Sequence, residues 1–230
     1  MTLAEKTLLL KQDYDDVYEA GKKAEYDAFW DSTQNYGERT SFIYGYAGQS
    51  WTNDTFEPKY DMEVTDAYYM FANSLITNLV ESLNKQKVNL SFSKATRLSG
   101  TFTYTATRYI GIVDASNSTD NTNLFNGASY LISVEGLILK SDGEQTITNM
   151  VRNCPKLEHL PILGGVIAKN GFDVSASKKL DHESLVSYLY ALQDKSSVSG
   201  SWVCTLGPEN LAKLTDAEKA IATQKGWSLA

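Results

Sequence analysis

Few side chains in this chain have the types and spacing that catalysis requires. The sequence holds two cysteines and two histidines in 230 residues, and His159 follows Cys154 by five positions. A thiol beside an imidazole can form a nucleophile pair. The competing interpretation is a buried structural thiol, and it is favoured for Cys154 and Cys204 because both lie in apolar contexts and free cysteine is among the most buried residue types.

The second histidine and the loop aspartates give no stronger signal. Asp114, Asp120 and Asp142 lie at strand ends or loops and could bind a cation, but their spacing matches no calcium loop. At His182 a helical pattern begins, so capping explains this residue better than catalysis. The sequence has no Cys-x-x-Cys pair, serine-hydrolase elbow, P-loop or HExxH motif. It therefore predicts no catalytic site, no cofactor and no metal.

Composition limits the classes of partner. The chain has 28 acidic and 21 basic residues, a net charge of −7 and a pI near 4.9. Nucleic-acid binding needs a basic surface, so no such partner is expected. The longest apolar run near the N-terminus, residues 8–10, is far shorter than the roughly 20 residues that span a bilayer, so no membrane insertion is expected. The N-terminus also lacks the pattern of a secretory signal.

A loose internal repeat is the strongest structural signal. Residues 123–131 (NLFNGASYL) are echoed 26 positions later by residues 149–157 (NMVRNCPKL), which places Cys154 at the position of Ala128. Repeats of about 20–29 residues are typical of leucine-rich repeats, whose units must stack to bury their apolar sides. The predicted fold class is α/β, an irregular leucine-rich-repeat-like solenoid with a long N-terminal helix and a C-terminal capping helix.

Residues 67–207 are predicted to form this solenoid. A helical pattern extends from Tyr68 to about Asn84, and a second one covers residues 182–192. Alternating apolar and polar residues or short apolar runs predict strands at 88–92, 109–114, 136–140, 160–163, 172–174 and 202–206.

The last segment, residues 208–230, is predicted to be a C-terminal cap. Thr215 and Glu218 have the spacing of a capping box, and Gly226 supplies a left-handed helix end. A helix with one apolar and one polar side suits the exposed end of a stack of repeats.

Residues 1–35 are predicted to form one long helix. Apolar and small residues fall on one seam at the steps of four and three that are typical of a coiled coil. The candidate docking or oligomerisation residues on this seam are Leu3, Leu10, Tyr14, Val17, Gly21, Ala24 and Ala28. The alternative is an amphipathic helix that lies on the chain's own core.

Residues 36–66 form a connecting segment rich in aromatic and turn-forming residues. A compact loop or short hairpin, fixed by its rings against the start of the solenoid, is the favoured interpretation. The alternative is a surface on which sugars stack. A carbohydrate-active enzyme would need paired acids across a cleft, and Glu57 and Asp61 lie here without any sign of pairing.

Three stretches of sequence resemble a known family. They are residues 18–31 with Gln34, residues 51–60, and residues 206–229, of which the last is the most specific. With the degenerate repeats between them, they resemble the small leucine-rich-repeat proteins of the BspA-like type found in gut Firmicutes and their bacteriophages. The middle departs from regular repeats, since Thr, Tyr or Arg replace consensus leucines around residues 102–108.

This resemblance implies a non-enzymatic surface or virion protein. Relatives that lack a signal peptide are similar to phage tail, baseplate, fibre or head-decoration proteins, which assemble in the host cytoplasm and leave by lysis. The implied partners are other virion proteins, further copies of the chain, and a host-surface glycan or protein. A bacterial cell-surface adhesion module of the same repeat type is the alternative.

Overall fold

A computed structural model describes residues 55–56, 62–74, 78–79 and 90–230 of the chain. The chain divides into two units, Met1–Thr40 and Ser41–Ala230, and all described residues belong to the second. Most of the connecting segment lies outside the described residues, as does the predicted N-terminal helix with its seam of Leu3, Leu10, Tyr14, Val17, Gly21, Ala24 and Ala28.

The described residues form short strands followed by helices near the C-terminus. The strands are β1 Thr55–Phe56, β2 Met62–Glu63, β3 Asn78–Leu79, β4 Leu90–Ser91, β5 Tyr109–Asp114, β6 Ser133–Ile138, β7 Ile162–Gly164, β8 Trp202–Cys204 and β9 Trp227–Leu229. The helices are α1 His182–Ala191, α2 Pro208–Leu211 and α3 Asp216–Gln224. In the described part of the chain, no helix is both long and apolar enough to cross a bilayer.

All pairs among these strands are parallel. Five strands form one sheet in the order β1-β3-β5-β6-β7, while β2 pairs with β4 and β8 pairs with β9. Because parallel neighbours cannot be joined by a tight hairpin, the chain must travel back before each new strand. The architecture therefore consists of these strands and of the segments that return the chain between them, which we call the returning segments.

Returning segments also lie side by side. Parallel bridges join Asp66 to Arg97, Arg97 to Asp120, and Asp120 to Thr146. We name the four segments that begin at these residues row 1 (66–74 and 78–79), row 2 (97–114), row 3 (120–138) and row 4 (146–164).

The two echoing stretches of sequence lie next to each other in rows 3 and 4. The N–H groups of Asn123 and Gly127 donate to the carbonyls of Thr148 and Arg152 at 3.0 and 2.9 Å. The bridge between Asp120 and Thr146 has the same 26-residue offset as the echo. The repetition in sequence is thus a physical adjacency of backbone segments.

Equivalent positions in successive rows stack in the core. The rings of Phe71, Phe102 and Phe125 are buried, with centroids 5.6 and 5.4 Å apart and planes within 2° and 8° of parallel. Row 4 continues this column with the buried Val151. Aromatic stacking of this kind adds to the stabilisation from burial alone.

Each row turns through two residues with positive φ, placed four positions apart. In rows 1 to 4 these pairs are Tyr69 and Asn73, Gly100 and Tyr104, Asn123 and Gly127, and Asn149 and Asn153, with φ between 53° and 70°. Glycine and asparagine tolerate this left-handed region best, whereas tyrosine adopts it at a cost. In rows 1 to 3 the N–H groups of these residues donate to carbonyls of the next row, and these lateral bonds hold them in that conformation.

The helix predicted from Tyr68 to Asn84 is wrong in the part of that range that the structure describes. The N–H groups of Tyr69 and Asn73 donate to row 2, at the carbonyls of Ser99 and Thr103, rather than to carbonyls four residues earlier. Both residues have positive φ, and residues 78–79 form β3. Lateral bonding therefore replaces the helical pattern that the apolar spacing suggests.

Predictions for the later elements fare better. Strand β5 has the predicted bounds, and α1 covers the predicted helix to within one residue. The strand predicted at 136–140 is shifted, since β6 begins at Ser133. The strand predicted at 172–174 is a single bridge between Asp173 and Thr205.

The capping box predicted for the last helix is confirmed, and a lysine that follows this helix bonds to the end of α1. Thr215 and Glu218 form the predicted capping box at the start of α3, and Gly226 has a φ of 79°. Lys225 Nζ then donates to the carbonyls of Leu189, Tyr190 and Leu192 at 3.1, 2.6 and 2.8 Å. A cation at the C-terminal end of α1 also interacts favourably with the helix dipole.

Two adjacent glycines provide a test of how closely the rows approach. A Cβ at Gly165, where φ is +79°, would lie 2.0 Å from the Leu139 carbonyl oxygen, whereas one at Gly164 would meet nothing closer than 3.5 Å. Gly165→Ala should lower the free energy of unfolding by about 2 kcal/mol or more, from backbone strain and overpacking. Gly164→Ala should change it by less than about 0.5 kcal/mol, the range of an uncrowded substitution. Urea denaturation of both variants measures this, and equal effects would contradict the close approach.

Candidate binding surface

The cysteine that sequence analysis singled out is buried within the stack. Cys154 Sγ donates to the carbonyl of Phe125 at 3.0 Å, and Cys154 and Ala128 are both fully buried. Burial raises the pKa of Cys154 to about 12 and, with a contribution from Asp173, the pKa of Cys204 to about 12. Since the thiolate is the nucleophile, such thiols are poor candidates for catalysis at neutral pH.

The histidines lie at the junction of the rows with the C-terminal helices. His159 Nδ1 lies 2.5 Å from Asp181 Oδ2, and Asp181 also caps α1 by accepting from the Ser184 N–H at 2.8 Å. Burial raises the pKa of Asp181, but hydrogen bonds from Ser184 and His159 outweigh it, so this pKa lies below its ordinary value. His159 is thus bound to a helix cap, whereas the Cys154 thiol is bound to a carbonyl.

Asp181, rather than His182, is the capping residue of α1. His182 is the first residue of that helix, and its Nε2 lies 2.9 Å from Glu218 Oε1 in α3. The assignment of capping to His182 is therefore wrong, because its side chain connects two helices and leaves the backbone N–H groups of α1 to Asp181.

Asp114, Asp120 and Asp142 have structural roles of their own. Each accepts a hydrogen bond from the backbone N–H two residues later, at 3.0, 3.0 and 2.8 Å. This is an Asx turn, in which the carboxylate imitates a backbone carbonyl. Among the described residues, no three His, Cys, Asp or Glu side chains are grouped to hold a metal ion.

Aromatic and basic side chains are exposed around the second left-handed residue of a row and from there to the start of its strand. Tyr104, Tyr109 and Tyr130 are 58%, 48% and 50% exposed. We name the surface that they form with nearby cations the tyrosine edge, and it consists of Tyr104, Arg108 and Tyr109 in row 2, Tyr130 in row 3, and Arg152 and Lys156 in row 4.

Lateral pairing brings these side chains together. Gly127 lies beside Tyr104, so that a Cβ at Gly127 would be 2.2 Å from Tyr104 Cε1, and the Gly127 N–H donates to the Arg152 carbonyl. Lys156 lies 26 residues after Tyr130, and its Nζ is 4.6 Å from the centre of the Tyr130 ring. This distance is within the range of a cation–π interaction.

Row 2 joins the same surface through its backbone. The carbonyl of Arg108 accepts hydrogen bonds from the N–H groups of Ile132 and Ser133 at 2.8 and 3.1 Å, and Tyr109 pairs with Ser133 in the sheet. The side chains of Arg108 and Tyr109 therefore start next to the segment that carries Tyr130.

The three cations of the tyrosine edge lack bound acids. Within the described part of the chain, the side chains of Arg108, Arg152 and Lys156 form no hydrogen bond or ion pair. Most other cations are engaged, as in the pairs Arg97–Asp66, Lys140–Asp142, Lys169–Glu144, Lys178–Glu209, Lys179–Glu158 and Lys219–Asp216. The unpaired positive charge thus lies on the same and neighbouring rows as the exposed tyrosines, and Lys156 lies directly beside the Tyr130 ring.

Sequence reasoning missed the tyrosine edge, although part of its signal was present. The echo at a 26-residue offset already aligns Tyr130 with Lys156. Row 2 could not be aligned in the same way. Its Tyr104 and Tyr109 are five positions apart, whereas their neighbours in row 3, Gly127 and Ser133, are six positions apart. The lateral hydrogen bonds were needed to place Tyr104, Arg108 and Tyr109 on the same surface.

Comparisons with protein-family models, with curated proteins and with solved structures find no match to this chain. Its function has to be inferred from the described geometry and from the sequence resemblance given above.

The burial of both cysteines predicts slow thiol chemistry in the folded protein. At pH 8, an excess of a thiol-reactive disulfide reagent should label Cys154 and Cys204 only as fast as the protein unfolds, because both pKa values are about 12. In denaturant, where a cysteine pKa returns to about 8.5, both should react within minutes. Rapid labelling of Cys154 without denaturant would contradict its structural role.

Proposed function

We propose that this chain is a non-enzymatic bacteriophage virion protein of the tail, baseplate, fibre or head decoration. In this proposal the stacked rows are part of a leucine-rich-repeat-like solenoid that presents a binding surface. The observation that carries it is a difference between two sets of described side chains. Groups that could do chemistry hold the fold together, whereas the exposed tyrosines and unpaired cations lie together on the tyrosine edge.

Three features support the solenoid. The rows are bonded laterally through alternate residues, their buried positions form columns across rows, and a helix with a capping box lies between the last two strands. Each unit in such an array contacts only its neighbours, and the end of the array needs a cap with a polar outer side. This architecture provides a broad regular surface, which suits binding better than a reaction.

The virion setting is supported by the resemblance to BspA-like proteins of Firmicutes phages. We propose that the seam of residues 1–35 docks the protein on the particle or joins it to further copies. Many copies on one particle would multiply weak contacts with a host surface, because the second and later contacts form at high effective concentration. A bacterial cell-surface adhesion module would use the same surface, so the location of the protein decides between the two.

The N-terminal seam can be tested in the full-length chain. Leu10→Glu places a charge on the seam and should abolish incorporation into phage particles, whereas Gln12→Glu adds the same charge off the seam and should leave incorporation intact. Deletion of residues 1–35 should have the effect of Leu10→Glu. Immunoblots of gradient-purified particles measure incorporation, with thermal unfolding of each purified variant as the folding control. Incorporation of the deletion variant would contradict the docking role, and recovery of the wild-type protein in bacterial surface fractions instead of particles would favour the adhesion module.

A further inference from the structure

We propose that the tyrosine edge binds a negatively charged polysaccharide chain. Exposed rings and unpaired cations occur together there over three hydrogen-bonded rows: Tyr104, Arg108 and Tyr109, then Tyr130, then Arg152 and Lys156. This inference deepens the proposed binding role and rests on it for the biological setting. The interaction itself can be measured on the isolated protein.

The rings provide faces for sugars. About half of each tyrosine side chain is exposed, and the other half is fixed by the fold. Tyr104 lies over Gly127, and Tyr130 has one face covered by Lys156. A sugar ring has C–H groups on its faces and hydroxyls at its rim, and a tyrosine matches it with an apolar ring and a polar tip. Rings already held in position lose little conformational entropy on binding.

The cations call for negative charge on the same ligand. Arg108, Arg152 and Lys156 can each form charge-assisted hydrogen bonds with a carboxylate, sulfate or phosphate group, and arginine can do so with two parallel bonds. The nearby Glu158 does not neutralise them, since it is paired with Lys179 at 3.3 Å. A neutral glycan has no anionic group to form these charge-assisted hydrogen bonds, so the three cations favour an acidic glycan.

A linear ligand fits the spacing of the groups. Hydrogen-bonded neighbouring segments lie about 4.8 Å apart, so three rows span about 10 Å across the edge. A chain that crosses the rows would contact rings in rows 2 and 3 and cations in row 4. A polysaccharide presents both sugar faces and acidic groups along its length, which matches this combination of rings and cations.

Two other classes of macromolecule fit less well. Binding to a polynucleotide draws most of its affinity from many phosphate contacts, and the tyrosine edge offers three unpaired cations for them. A protein partner would need a desolvated apolar centre, but the other large exposed apolar side chains of the described residues, Leu163, Tyr190 and Val198, lie in β7, in α1 and in the loop before β8. They are spread over separate elements and do not extend the edge.

The test measures binding of the full-length protein to immobilised polymers by biolayer interferometry. The acidic glycans are polygalacturonate, chondroitin sulfate and alginate. Dextran supplies sugar rings without charge, and polyacrylate supplies charge without sugar rings. We expect at least one acidic glycan to bind about tenfold or more tightly than both controls. Dextran lacks the charge-assisted hydrogen bond, which accounts for about that factor, and polyacrylate lacks the contacts between sugar and tyrosine rings.

Matched variants locate the site. Arg152→Gln and Tyr130→Ala should each weaken binding of the acidic glycan by about fivefold or more. The controls are Lys169→Gln, which changes a lysine already paired with Glu144, and Tyr190→Ala, which removes a tyrosine that is 66% exposed on α1. Both controls should bind within about twofold of the wild-type protein, as expected of substitutions outside a site. Circular dichroism of each variant verifies that the fold is retained.

Several outcomes would overturn the proposal. Binding to polyacrylate as tight as to the glycans would show that charge alone is recognised, and equal binding to dextran would remove the role of the cations. Failure of all three acidic glycans to bind, or equal losses in site and control variants, would show that the tyrosine edge is not the site. None of these results depends on particle incorporation. The polysaccharide proposal can therefore fail while the virion proposal stands, and the virion proposal can fail while polysaccharide binding is observed.

Discussion

Lateral hydrogen bonds between neighbouring rows are the interaction on which the rest of the structure depends. Rows 1 to 3 donate backbone N–H groups to carbonyls of the next row, at distances such as 2.8 Å between the Phe125 nitrogen and the Met150 oxygen. Because a buried backbone group without a partner is costly, each row needs its neighbours. The same bonds fix the register, which places Phe71, Phe102 and Phe125 in one column and gathers the tyrosine edge from separate parts of the sequence.

This dependence also explains the C-terminal helices. An array of rows ends in a row with one unpaired side, and in the described chain α1 follows row 4, with β8, α2, α3 and β9 after it. Lysine side chains tie these elements down: Lys225 donates to carbonyls at the end of α1, and Lys213 donates to the carbonyls of Lys178 and Leu180 at 2.8 and 2.6 Å. The pKa of each lysine lies below its ordinary value because burial disfavours its charge. These lysines serve the fold and are not available to a ligand.

The rows could be predicted from the sequence only where the residue type indicates the backbone conformation. In rows 3 and 4 the left-handed positions are Asn123, Gly127, Asn149 and Asn153, so the repeat is visible in the sequence. In rows 1 and 2 the same positions include Tyr69 and Tyr104, residues that give no such signal. The spacing of Tyr68, Met70 and Phe71 then resembled a helix. Local signals such as the Thr215 capping box were sufficient by themselves, whereas the tyrosine edge depends on lateral contacts that no single segment encodes.

The central claim is that rows 3 and 4 stack at a 26-residue offset, and a pair of introduced cysteines tests it directly. Asp120 and Thr146 form a parallel bridge, with Thr146 Oγ1 donating to Asp120 Oδ1 at 2.8 Å, so their Cα atoms should lie within the range of a disulfide, about 4.4–6.8 Å. The variant with Asp120→Cys and Thr146→Cys should form an internal disulfide under mild oxidation. A control with Asp120→Cys and Thr148→Cys, two positions out of register, should remain reduced. Equal oxidation of the two variants, or none in the first, would contradict the stacking.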